Sequence, residues 1–210
     1  MTTPEHTLVG IHTAFALGVH RRFGWPAVTM AGVASNVPDL DGLPMLLDMQ
    51  RFEAGHRVWG HNVLAILISS VLLGWSQSKY HWIERLWKLV QRMLSIPQGT
   101  AIPDSRSVAA IAIVGIAFFA QTIHLPCDMV VSGGHGLSDW PIQPLWPFSG
   151  TEFVFPLIPW GDIGPTVILM AGIIWIAKRP TNLSTISVCT LIALTFYLVA
   201  RGWSRGMFLG

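Results

Sequence analysis

The run from Ser107 to Val131 reads SVAAIAIVGIAFFAQTIHLPCDMVV. It is long and apolar enough to cross a hydrocarbon core, which takes roughly 20 residues of helix. Near its C-terminal end stand two ionisable side chains, His124 and Asp128, four residues apart, so a helix projects both from one face. Ionisable groups at membrane depth are costly and mark functional sites. The plainer alternative for such a pair is a hydrogen bond that glues two helices together.

Working outward, five more apolar segments can be drawn: Thr7 to Val19, Trp25 to Val37, His61 to Trp75, Ile163 to Ala177 and Ser184 to Ala200. The first three hold only about 13 to 15 residues each, short of a full crossing, so four real spans is the competing count. Between the third and fourth, His81 to Leu94 reads as an amphipathic helix. Trp82, Leu86, Leu89, Val90 and Met93 recur at helical spacing opposite Glu84, Arg85, Lys88 and Arg92. The expected fold is an all-α, polytopic membrane bundle of four to six apolar helices. It forms one domain over residues 1–210, with the motifs in 6–148 and a C-terminal helix pair in 163–200.

Composition agrees. Charged residues make up 11% of the chain, hydrophobic residues 51%, and the mean hydropathy is +0.52. A soluble domain carries about a quarter charged residues. The ten tryptophans suit an interfacial belt. A net charge of +2 with scattered basic residues gives no nucleic-acid stripe. Cys127 and Cys189 form no CxxC and imply no disulfide. No basic region or cleavage site precedes the first apolar run, which reads as retained.

Charge also orients the chain. With the basic stretch from Lys79 to Arg106 placed in the cytoplasm, alternation of six segments brings Arg21, Arg22, Lys178 and Arg179 to the same side. The loop from Ser132 to Asp162, which lacks Lys and Arg, then lies outside. The misfit is Arg201 and Arg205, which also fall outside. The same alternation gathers His6, Asp39, Asp41, His56, His61, His124 and Asp128 at the outer face, so localisation in an inner membrane with a site toward the periplasm is expected.

These residues offer the imidazoles and carboxylates of a hydrolytic metal site. Asp39 and Asp41 flank Leu40 in a Pro-led turn, which on its own is a common solvated motif. His56 and His61, five apart, share no helix face unless the backbone breaks, and Gly60 offers that break. Arg57 could clamp a substrate oxygen or neutralise Asp39 or Asp41. His12 points away from His6, His20 and His81 read as solvated, and His135 lies on the outer loop; the roles of His12 and His135 stay open.

The ordered set His6-x-x-x-Gly10, Pro38-Asp39-Leu40-Asp41, His56-Arg57-x-x-x-His61, His124-x-x-x-Asp128 and Leu145-Trp146-Pro147-Phe148 resembles the membrane-bound, metal-dependent hydrolase family of the YdjM type. More remotely the chain is similar to zinc-dependent phospholipase C and the related single-strand nucleases. The resemblance implies metal-ligand roles for His6, Asp39, Asp41, His56, His61, His124 and Asp128. Two departures affect substrate contacts: Asn62 stands where a small hydroxyl residue is common, and the segment from Ser132 to Gln143 is longer and richer in glycine than usual.

Seven ligands exceed the four that one zinc takes, so two or more ions are expected. Zn²⁺ fits best, and Mn²⁺ or Fe²⁺ suit the same donors. The expected function is metal-assisted hydrolysis of a phosphodiester or ester, with a lipid headgroup the leading substrate. Asp39 or Asp41 would orient the attacking water and Arg57 would stabilise the developing oxyanion. Membrane lipids and a small-molecule or lipid ester are the expected partners. A metal-ion transporter and a non-catalytic anchor that recruits a partner through its basic amphipathic helix are the alternatives.

Overall fold

The computed structural model describes residues 1–48, 55–93, 109–133 and 139–208. Among these, the secondary structure is helical with two isolated bridges and no strand. The helices are α1 (Thr3–Ala16), α2 (Val19–Ala34), a 3₁₀ helix (Pro38–Leu46), α3 (Val63–Tyr80), α4 (Trp82–Met93), α5 (Ala110–Met129), α6 (Gly164–Lys178) and α7 (Leu183–Ser204), the last preceded by a single 3₁₀ turn (Pro180–Asn182).

Local chemistry sets the ends. The Glu5 carboxylate accepts the Thr2 N–H at 2.8 Å, closing the first turn of α1. Gly18, with φ +69°, lets the chain turn from α1 into α2. The Asn62 side chain accepts the Ala65 N–H at 2.8 Å and starts α3. Inside α2, Gly24 at φ +78° and Pro26 break the regular helix.

Helices occupy each of the six apolar segments, but among the described residues only two, Ala110–Met129 and Pro180–Ser204, are long and apolar enough to cross a membrane. The 15-residue α6 is apolar but shorter. Exposed side chains show where lipid would lie. On α3, Leu64, Leu67, Ile68, Val71, Leu72 and Trp75 are all exposed at the i, i+3, i+4, i+7 spacing of a single helix face. Such a stripe would be a large unfavourable patch in water. Val188, Ile192, Phe196 and Val199 form a second stripe on α7.

The core lies between α1 and its neighbours α2, α5, α6 and α7. Polar side chains lock the packing, as they do where lipid offers no hydrophobic gradient. Ser69 donates to Gln121 Oε1 at 2.7 Å, and Gln121 Nε2 donates to Ser70 at 2.9 Å, joining α3 to α5. His12 joins α1 to α6 and α7 through the Leu169 carbonyl at 3.2 Å and Ser187 at 3.1 Å. It is fully buried and belongs to the packing. At Gly10 a Cβ would collide with Ser35 and the Ala31 carbonyl, so glycine sets the close approach of α1 and α2.

The connectivity sorts charge by end. Arg21, Arg22, Lys79, Arg85, Lys88, Lys178 and Arg179 lie at helix ends or on α4, away from the end where α5 finishes. At that other end, residues 139–162 form a cap. It pairs Val131 with Ile158 and Ile142 with Phe153, and its N–H groups reach the last carbonyls of α5, with Phe155 donating to Met129 at 2.9 Å and Ile158 to Val130 at 3.1 Å. The misfit Arg201 is accounted for here, because its guanidinium pairs with Asp162 at 2.9 Å. Arg205 donates to the Pro156 carbonyl at 3.1 Å.

Candidate metal centre

Three separate stretches meet at the capped end of the bundle. The last turns of α5 bring His124 and Asp128 to one face, with Nε2 and Oδ2 3.5 Å apart. The first turn of α1 brings His6, whose ring stacks on His124 at 3.6 Å between centroids and whose Nε2 lies 3.0 Å from Asp128 Oδ1. The 3₁₀ helix brings Asp39, with Oδ1 3.4 Å from His124 Nε2. A tetrahedral ion with bonds of about 2.1 Å holds its donors about 3.4 Å apart. His6, Asp39, His124 and Asp128 each offer one ligand atom within 4.8 Å of the others, so this group could hold a metal ion.

His61 adds a further nitrogen. Its Nε2 lies 3.1 Å from Asp128 Oδ2 and 3.0 Å from His124 Nε2. The partners of the opposite ring atoms decide what these nitrogens carry. His124 Nδ1 donates to the Ser35 carbonyl at 2.7 Å, and His61 Nδ1 donates to Asp41 Oδ2 at 2.9 Å. In each neutral ring the Nε2 then bears the lone pair, and the two lone pairs face each other. Two facing lone pairs require a proton or a cation between them. A carboxylate or carbonyl behind the imidazole is the arrangement that orients metal-bound histidine.

The two aspartates of the Pro-led turn divide the work. Asp39 faces the cluster. Asp41 stands behind it, accepting from His61 Nδ1, from the Gly60 N–H at 2.9 Å and from His56 Nδ1 at 3.1 Å. Burial pushes the Asp41 carboxyl up, but the hydrogen bonds from His56 and His61 outweigh it and hold it at about 2. Burial likewise raises Asp39, and the hydrogen bond and charge of His124 bring it below the ordinary value. For His61 burial lowers the pKa, yet the contacts with Asp128 and Asp41 leave it raised.

The break expected at Gly60 is present. Residues 56–62 run as turns and bends, Arg57 takes φ +63°, and a Cβ at Gly60 would collide with the Pro38 carbonyl oxygen. His56 and His61 therefore reach the same carboxylate from one short loop.

Arg57 does not pair with Asp39 or Asp41. It is 2% exposed. Its guanidinium donates to the carbonyls of Asp128 at 3.2 Å, Trp140 at 2.9 Å and Val131 at 3.2 Å, and its Nε lies 3.3 Å from Asp128 Oδ2. It clamps the end of α5 to the cap and lies over the Trp140 ring, 5.5 Å from its centroid. The Met1 ammonium also contacts Asp128 Oδ1. A cavity of about 490 Å³ opens onto Asp39, His56, Arg57 and Asp128 between Leu43 and the rings of Trp140 and Trp160.

Of the other histidines, His81 is exposed and His20 half-buried with its ring edge-on to Phe15. His135 falls outside the described residues. The Ser35 carbonyl was not legible in the sequence, since a backbone acceptor leaves no residue-type signal. The tryptophans of the cap were legible only as interfacial aromatics.

Fold and site together define an all-helical membrane protein with a buried imidazole–carboxylate cluster able to hold a metal ion. The chain matches the family described as YdjM inner membrane protein over residues 1–206, and it belongs to that family. No curated protein and no solved structure matches it.

Proposed function

We propose that the protein is a membrane-bound, metal-dependent hydrolase acting on a phosphodiester or related ester. The observation that carries this reading is the meeting of imidazole and carboxylate donors from α1, the 3₁₀ helix, the 55–62 loop and α5, with the far nitrogens of His61 and His124 already committed. His6, Asp39, His124 and Asp128 would hold one Zn²⁺, and His61 would be available to a second ion. Bound divalent ions acidify water and polarise a phosphoryl or carbonyl oxygen.

The chain's own residues divide the remaining tasks. Asp39 has a side chain 19% exposed against 3% for Asp41 and lines the cavity, so Asp39 is the carboxylate that meets substrate and orients the attacking water. Asp41 fixes the tautomer of His61. Arg57 positions Asp128 and the cap, because its two terminal nitrogens end on the carbonyls of Asp128, Val131 and Trp140 and its Nε faces the Asp128 carboxylate. The substrate is a lipid headgroup or similar ester at the membrane boundary, and the site faces the periplasm. Transport of a metal ion fits less well: among the described residues this is the one group of its kind, and the separate pocket between α1, α2 and α5 offers no further imidazole or carboxylate.

Purified protein would be assayed for metal content and screened on water-soluble and lipid phosphodiesters. Zinc in the protein and hydrolysis abolished by chelator or by Asp39→Asn are expected. Metal-replete protein that cleaves no ester in the screen would overturn the reading.

A further inference from the structure

The 3₁₀ helix that turns Asp39 toward the cluster also presents leucines at the surface. Leu40 is 56% exposed, Leu43 55% and Leu47, just past its end, 82%. Trp59, beside the Gly60 that packs on Pro38, is 59% exposed. Val63 and Leu64, which follow directly on the site loop, are exposed too and begin the apolar stripe of α3. The leucine face therefore continues a surface whose composition suits lipid.

Depth follows from the helix that holds the ligands. His124 lies five residues before the end of the candidate span Ala110–Met129, which at 1.5 Å per residue is about 7.5 Å inside it. Asp39 Oδ1 is 3.4 Å from His124 Nε2, so Pro38–Leu46 starts below the end of the span. Backbone at that depth is tolerated where its polar groups are satisfied by protein, and this segment makes its own bonds, Leu40 N–H to Val37 O at 3.1 Å and Leu47 N–H to Pro44 O at 2.9 Å.

We propose that Pro38–Leu47 is a re-entrant segment whose leucine face rests on lipid of the leaflet nearest the site, and that the cavity beside it receives an amphiphile sideways from that leaflet. The polar group of such a molecule reaches Asp39 and Asp128 past Leu43, Trp140 and Trp160, while its chains stay against the leucine face. The route rests on the hydrolase reading given above; the depth of the segment does not.

Two measurements test it on the full chain, reconstituted in phosphatidylcholine vesicles with Cys127 and Cys189 replaced by alanine. Nitroxide labels on Leu40→Cys and Leu47→Cys should collide more with oxygen than with a water-soluble nickel chelate, as a label on Val71→Cys does. A label on Ser149→Cys in the cap is the reference at the other extreme. Labels at positions 40 and 47 that behave as the one at 149 overturn the proposal whatever the catalytic result. In the second measurement, Leu40→Ser combined with Leu47→Ser should lower the ratio of hydrolysis of a vesicle-embedded diester to that of a soluble diester by about tenfold. An unchanged ratio overturns the sideways route. Deep labels with no hydrolysis of any diester uphold the lipid contact and remove the hydrolase reading alone.

Discussion

Asp41 Oδ2 accepts the Nδ1–H of His61 at 2.9 Å, from a carboxylate that His56 and the Gly60 N–H also reach. The cluster-facing nitrogen of His61 is thus set by a residue that does not itself face the cluster. Asp41→Asn keeps the shape but weakens the acceptor and frees the ring to change tautomer. Metal affinity is expected to fall about 10- to 100-fold, the usual cost of losing such a partner, with helical content unchanged. Competition titration against a chelating dye, with circular dichroism alongside, checks this.

The same carboxylate predicts a pH dependence for chelator-treated protein. A folded-state value of about 2, below the ordinary 3.8, means that Asp41 stabilises the fold fully above about pH 4 and loses that contribution as pH falls toward 2. The shift corresponds to on the order of 2 kcal/mol. His61, raised above 6.5, has the opposite sign: its contribution is present below pH 6.5 and is lost as pH rises. Thermal unfolding in detergent from pH 2 to 8 should show the acid limb flattened in Asp41→Asn.

His61 and Asp128 come from different stretches yet meet at 3.1 Å. If both serve one centre, His61→Ala and Asp128→Ala each deplete metal, and the double variant loses little beyond the worse single, since residues that act as a unit are not additive. Metal content by mass spectrometry of the three variants decides it. Independent, additive losses would mean two unrelated sites.

Asp162 accepts from Tyr197 at 2.6 Å, from the Gly164 N–H at 2.9 Å and from Arg201 at 2.9 Å. It ties the start of α6 to the last turns of α7. Replacing it with alanine leaves these donors without their acceptor, and a destabilisation of about 1 to 3 kcal/mol is expected. Thermal unfolding would show it. Metal content should stay unchanged, because this cluster shares no residue with the centre.

Orientation is open to direct labelling. In a background without Cys127 and Cys189, a cysteine at Ser149 should react with a membrane-impermeant thiol reagent in intact cells, and one at Lys88 should react only after the membrane is opened. The reverse pattern would place the site toward the cytoplasm.

The sequence by itself determined the helices, the apolar character and the residue types available for a metal. Helical periodicity, caps such as Asn62 and turn residues such as Gly18 act over a few neighbouring positions, so they can be read locally. The i, i+4 pairing of His124 with Asp128 is local in the same sense. Tertiary structure alone decided which donors converge and in what role. Asp39 and Asp41 look alike in the chain, but one faces the cluster and the other backs His61, because the tight backbone of the 3₁₀ helix sends them to different sides. His12 and His6 differ only in where α1 meets α6, α7 and α5. Arg57 became a clamp on carbonyls because the end of α5 and the cap, more than seventy residues away, supplied its acceptors. Such partners are fixed by the packing of distant segments, and no local pattern of residues encodes the distance between them.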